Sequence, residues 1–369
     1  MRIIYLIVFL ALISSLVNAI RPAKNLIPPE KYFRVNQALL KKHILPRYEK
    51  FSSQTIKLDL AARQFCKAPS IANLPLIKKK FHSAADAWAG VQHIQFGPIE
   101  EQLRLNRVYY WPDKHNTGSR HLGRLLKSED ETLLSEEQFS IISVALQGFP
   151  ALERLLFSQS EKLFKQDRSS KFRCGLIQAI SLNLREISAA VLKEWNDPNN
   201  PFLQVVTSSG VQIYSGENEI FQDYLASLYG NLRAIHDLKI HRTLGETPES
   251  SRPRLADAWR SGRSLRNIIL NLEAAQKLFE GEGDFGIDDF IEMLKPDSTT
   301  AKDFKTYLKY TLKTARSISL PLHQAVRDQQ QHEQVERLKA QVLALMILVR
   351  TRVSTAVGMG TGFNFLDGD

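Results

Sequence analysis

The segment Ser264-Leu265-Arg266-Asn267-Ile268-Ile269-Leu270-Asn271-Leu272-Glu273-Ala274-Ala275-Gln276-Lys277-Leu278 decides the fold class. Leu265, Ile268, Ile269, Leu272 and Leu278 recur at the three- and four-residue spacings that line one face of a helix. The same spacings predict helices over 30–52, 72–94, 136–158 and 173–195, and near 217–240, 254–280, 300–318 and 322–356. Strand-like alternation is confined to Val205–Tyr214, where Ser-Ser-Gly suggests a loop or short hairpin. The chain reads as all-α.

Just before that segment stands Ala256-Asp257-Ala258-Trp259, which repeats Ala85-Asp86-Ala87-Trp88 at an offset of 171 (256 − 85). The same offset sets Phe149-Pro150 on Leu320-Pro321 and Phe139 on Tyr310. A shared register over such distances points to internal duplication. The halves run 28–198 and 199–369, joined at Asn196-Asp197-Pro198-Asn199-Asn200-Pro201, a stretch rich in turn formers. Four helices per half give two up-and-down bundles related by pseudo-symmetry. On this reading Trp88 and Trp259 occupy equivalent helical positions and pack in the core.

The apolar run Ile141–Phe157 contains Gly148-Phe149-Pro150-Ala151-Leu152-Glu153. A proline within a helix removes a donor and clashes with the preceding turn, and glycine weakens the helix further. Glu153 then places a carboxylate on an apolar segment, where it is costly unless paired or liganded. These anomalies mark a candidate site, at a break matched by Pro321 in the other half. Clefts between packed domains are common ligand sites. The alternative is a pair of structural kinks. Trp111-Pro112-Asp113, four residues beyond Arg107, offers a carboxylate that binds a cation or pairs with Arg107. His332-Glu333 with Glu336 resembles half of a zinc motif, but the surrounding glutamines favour a solvated helix face.

The 369-residue chain opens with Arg2, an apolar run Ile3–Val17, and Asn18-Ala19. That is the pattern of a secretory signal peptide over 1–19, cleaved after Ala19; an uncleaved anchor is the alternative. Once processed, the chain is not an integral membrane protein on this reading. Cys66 and Cys174 are the two cysteines. An oxidising compartment favours their disulfide, and two buried thiols are the other possibility. The formal charge is +10, but the basic residues are scattered and no nucleic-acid-binding motif accompanies them. An ordinary solvated surface, or contact with anionic envelope surfaces, fits better than nucleic acid.

Gln147-Gly148-Phe149-Pro150-Ala151-Leu152-Glu153-Arg154-Leu155-Leu156 resembles the signature region of the imelysin-like proteins, whose motif is written G-x-H-x-x-E. Gly148 and Glu153 match it, and Pro150 stands where the His would be. Further blocks resemble the family in order and spacing: Trp88-Ala89-Gly90-Val91-Gln92 with Phe96-Gly97-Pro98, Arg107–Asp113, Arg260-Ser261 with Ser264-Leu265, and Gly362–Asp369. The resemblance implies a helical, exported protein of the periplasm or envelope. It also implies one of two activities: binding in iron or other metal acquisition, or metallopeptidase action. A third reading is an envelope module that binds a protein partner and no metal. The expected ligand set is Gly148, Pro150, Glu153, Arg107, Trp111, Asp113, Arg260 and Ser261. Glu153 and Asp113 would meet a divalent or trivalent metal ion, such as iron, or its chelate. Without the motif His, the peptidase reading lacks its most obvious ligand.

Overall fold

The computed structural model describes residues 27–28, 30–198 and 216–359. The expected signal peptide over 1–19, Val205–Tyr214 and Gly362–Asp369 lie outside the described residues. Among those described there are helices, turns and no strand, as the apolar spacing predicts.

Helix α1, Glu30–Leu39, runs through a π-helical turn, Leu40–Ile44, into α2, Leu45–Lys67. The first predicted helix thus continues past residue 52. Helix α3, Leu74–Val91, and the long α8, Arg168–Trp195, pack along α2. Asp167 caps α8 by accepting from the Ser170 N–H at 2.7 Å, which satisfies one of the free donors of the first turn. Cys66 on α2 and Cys174 on α8 form a disulfide, with Cα atoms 5.5 Å apart. It closes a loop of 108 residues, for which chain entropy alone contributes about 4–5 kcal/mol.

The predicted helix 136–158 is divided. Helix α6, Glu136–Ile141, is followed by a 3-10 turn at Val144–Leu146 and then α7, Phe149–Phe157. Pro150 does not kink a helix. It lies in the first turn of α7, where a missing N–H costs nothing. Helices α4, Arg104–Val108, and α5, Thr117–Ser128, precede α6.

In the second half, α9, Glu217–Arg233, continues into a π-helical stretch, Ala234–His241. Helices α10, Ser264–Glu280, α11, Ile287–Leu294, α12, Thr300–Ser317, α13, Leu322–Ala325, and α14, Gln329–Leu348, follow. The predicted helix at 254–280 begins only at Ser264. Residues 256–262 form turns, with Ala258 in the left-handed region at φ 48°. Trp259 therefore lies in a turn, whereas Trp88 lies on α3; the two are not equivalent helical positions.

The segments before residue 198 and after residue 216 pack on one another. Helix α3 packs on α10. Helix α1 packs on α9: Asn36 donates to the Glu217 carbonyl at 2.8 Å, and the Tyr32 ring sits 5.4 Å from that of Phe221. The first helical turns of the chain thus pack with the carboxy-terminal half.

Candidate ligand cleft

An aromatic core sets the position of the Gly148–Glu153 motif. Phe149 packs against Phe81 at 5.8 Å and Phe51 at 6.4 Å between ring centroids. Gly148 presses on the end of α4: a Cβ there would lie 2.1 Å from the Val108 carbonyl oxygen and 2.5 Å from that of Arg107. Only glycine admits that approach. One helical turn on, Glu153 is 5% exposed on the wall of a cleft of about 680 Å³. Its Oε1 accepts from the Ser261 N–H at 2.8 Å and the Ser261 hydroxyl at 2.6 Å. No donor among the described residues meets Oε2. Burial raises the carboxyl pKa and the Ser261 donors oppose the rise; the net shift is upward.

Pro150, Trp111, Asp113 and Arg260 line the same cleft, so the fold gathers residues that lie far apart in sequence. Gly148 and Ser261 stand behind its wall. Arg107 does not line it: its guanidinium donates to Gln147 Oε1 at 2.6 Å and Asn183 Oδ1 at 2.7 Å. Asp113 pairs with Arg154 at 3.3 Å, not with Arg107. It also accepts from the Thr117 N–H at 2.6 Å and the Gly118 N–H at 3.1 Å, capping α5. Both of its oxygens are occupied by protein donors.

Beneath the cleft lies a network that sequence reading missed. Asp257 is 0% exposed. It accepts from Lys239 Nζ at 3.0 Å, from Asn267 at 2.9 Å and from the Tyr109 hydroxyl. Lys239 also donates to Asn271 Oδ1 at 2.8 Å, and Asn271 donates to the Ala89 carbonyl at 2.7 Å, across the α3–α10 seam. Burial alone would raise the Asp257 pKa. The Lys239 charge and the three hydrogen bonds outweigh it and hold the carboxyl below its ordinary value. Tyr109 is pushed up by burial and by the Asp257 charge. The repeat marks Asp257 in the sequence but nothing marks Lys239 as its partner, because the two are 18 residues apart and meet only in the fold.

The imelysin family model (Peptidase M75) matches residues 44–349. The chain belongs to the imelysin family. This imelysin is 20% identical over 256 residues to iron-regulated protein A of Synechococcus elongatus. That match covers 68% of the chain and 65%, just under two thirds, of the relative. Its fold is that of an imelysin-like protein from Psychrobacter arcticum 273-4, at a TM-score of 0.73 and 19% identity over 91% of this chain and 98% of that one. It is likewise that of a putative iron-regulated protein A precursor from Parabacteroides distasonis ATCC 8503, at 0.73 and 13% over 90% and 96%.

A resident catalytic zinc needs about three protein ligands. Among the described residues, no three His, Cys, Asp or Glu side chains converge, and Pro150 supplies no donor where the motif has His. The donor set of this imelysin does not fit a resident zinc. His332 is not on a solvated face: it is buried, and its Nδ1 lies 2.9 Å from the Val326 carbonyl oxygen. No helix among the described residues is long and apolar enough to cross a membrane.

Proposed function

We propose that this imelysin is an exported binding protein of iron or other metal acquisition, and that the cleft beside Glu153 receives its ligand. The observation that carries the reading is the bond between Glu153 on α7 and Ser261 in the turn before α10. The wall exists only when the two halves are assembled, as in other interdomain ligand sites. The names of the Synechococcus and Parabacteroides relatives and the leader-like Met1–Ala19 support the iron-related and exported parts. The ligand is a metal ion or metal chelate, handed on to an envelope partner.

Elemental analysis tests the reading. Protein purified from an envelope fraction without chelators is expected to carry stoichiometric metal, and Glu153→Ala to carry less. Protein free of metal, which also fails to take up iron from ferric salts or chelates in equilibrium dialysis, would sink it.

A further inference from the structure

The charges around the cleft are unequally answered. Lys114, Arg154, Arg242, Arg254, Arg260 and Arg263 line it, against the acids Asp113 and Glu153. Two of the six cations are paired: Arg154 with Asp113, and Arg263 with Asp86. Lys114, Arg242, Arg254 and Arg260 have no acidic partner among the described residues. Glu153 adds a single carboxylate, whose bonded oxygen faces Ser261, against four such cations. The site therefore holds a surplus of positive charge on partly enclosed walls.

Its arrangement is specific. Arg260 lies over the Trp259 ring at 4.5 Å and Arg254 at 6.0 Å. Both guanidiniums are thus held by the indole, and among the described residues no acceptor takes their N–H groups. Burial, and then the neighbouring Arg154 charge, disfavour the charged form of Arg260; Glu153 and Asp113 oppose them, and the net shift is downward. A bound anion would relieve the remaining repulsion. The fork of a guanidinium matches the paired oxygens of a carboxylate or phosphate, and several cations around one cleft suit a ligand with more than one negative charge. A bare cation would meet the opposite conditions, with Asp113 already occupied by three donors.

We propose that the cleft takes its ligand as a small polycarboxylate anion, free or carrying metal, gripped by Arg254 and Arg260 beside Trp259, rather than as a bare metal ion held by Glu153. This inference rests on the ligand-site reading above and names the chemistry of its occupant. A cleft of about 680 Å³ is of the size that holds small organic ligands.

Calorimetry on the full protein tests it with citrate, ferric citrate, inorganic phosphate, and zinc and manganese chlorides. Citrate and ferric citrate are expected to bind, more weakly as salt is raised. Arg254→Gln and Arg260→Gln should each weaken them about tenfold or more, as for loss of a charge-assisted hydrogen bond. Arg352→Gln, outside the cleft, should leave both unchanged. Citrate binding with no preference for the ferric form would support this inference and sink the metal-acquisition reading. Zinc or manganese binding that is lost in Glu153→Gln and indifferent to Arg254 and Arg260 would overturn the inference and leave that reading standing. Phosphate binding without citrate binding, or no binding by any of the probes, would overturn it as well.

Discussion

The two copies of Ala-Asp-Ala-Trp exchange the roles of their side chains. In the first, on α3, Trp88 is 2% exposed and packs 5.3 Å from Phe51, while the Asp86 side chain keeps 24% of its surface and faces Arg263 and Arg266. In the second, Asp257 is wholly buried on Lys239 and Trp259 lies open to the cleft under Arg260. Residues two apart on a helix point to opposite sides, so α3 sends its tryptophan in and its aspartate out. The turn at 256–262, with Ala258 left-handed, reverses this. Arg263 and Asn267 connect the two places: Arg263 bonds Asp86 and Asn267, and Asn267 bonds Asp257. The lesson is that a repeated tetrapeptide fixes neither burial nor role; the backbone that carries it does.

If that exchange is real, mutational costs should cross over between the copies. Asp257→Ala leaves the Lys239 ammonium buried without its counter-charge and is expected to cost about 3–5 kcal/mol. Trp88→Ala opens a cavity in the aromatic core and is expected to cost about 3–5 kcal/mol. Urea denaturation of the two variants gives both numbers. A neutral Asp257→Ala would break the comparison. Adding Lys239→Met to Asp257→Ala should recover a large part of the loss, since the cost lies in the orphaned charge.

The counterparts should be milder. Asp86→Ala removes charged hydrogen bonds from Arg263 and Arg266 and is expected to cost about 2 kcal/mol. Trp259→Ala, partly exposed, is expected to cost under about 1 kcal/mol in stability while freeing Arg254 and Arg260 from the ring that holds them. A loss for Trp259→Ala as large as that for Trp88→Ala would restore the equivalence that the repeat implied.

Local physics explains what was legible. The helical fold follows from apolar spacing, as at Leu265, Ile268 and Leu272, because burying one stripe dictates the period. Glu153 announced itself because a carboxylate in an apolar run needs a reason, and Ser261 is that reason. The path of 254–263 was not legible: apolar and helix-forming residues there are overridden by a turn that brings Asp257 to Lys239. Arg154 sat beside Glu153 in the motif and escaped notice, because an arginine next to a carboxylate has many solvated explanations. Arg107 lies away from the cleft, on Gln147 and Asn183, and its place was not legible for the converse reason. A sequence shows that a guanidinium needs acceptors, but not that Gln147 and Asn183 supply them.

The last effect is electrostatic and belongs to the first copy alone. His82 lies 3.2 Å from Arg263 Nη1, and its titration also feels Asp86, Arg266 and Lys78. Burial, and then the Arg263 charge, lower its pKa to about 4; Asp86 opposes them. In the unfolded chain the ring titrates near the ordinary value of about 6.5. Between those two values the unfolded state takes a proton that the folded state refuses. Stability therefore falls as pH is lowered from about 6.5 toward 4, and this contribution is constant above that window. The His82 ring resonance is expected to titrate with a midpoint near 4, lower still in Asp86→Ala, which removes the opposing charge, and higher in Arg263→Met. A midpoint near 6.5 that ignores both substitutions would mean that Arg263 does not tie His82 to Asp86. The aspartate of the first copy would then be an isolated surface charge, unlike the buried Asp257 in a further respect.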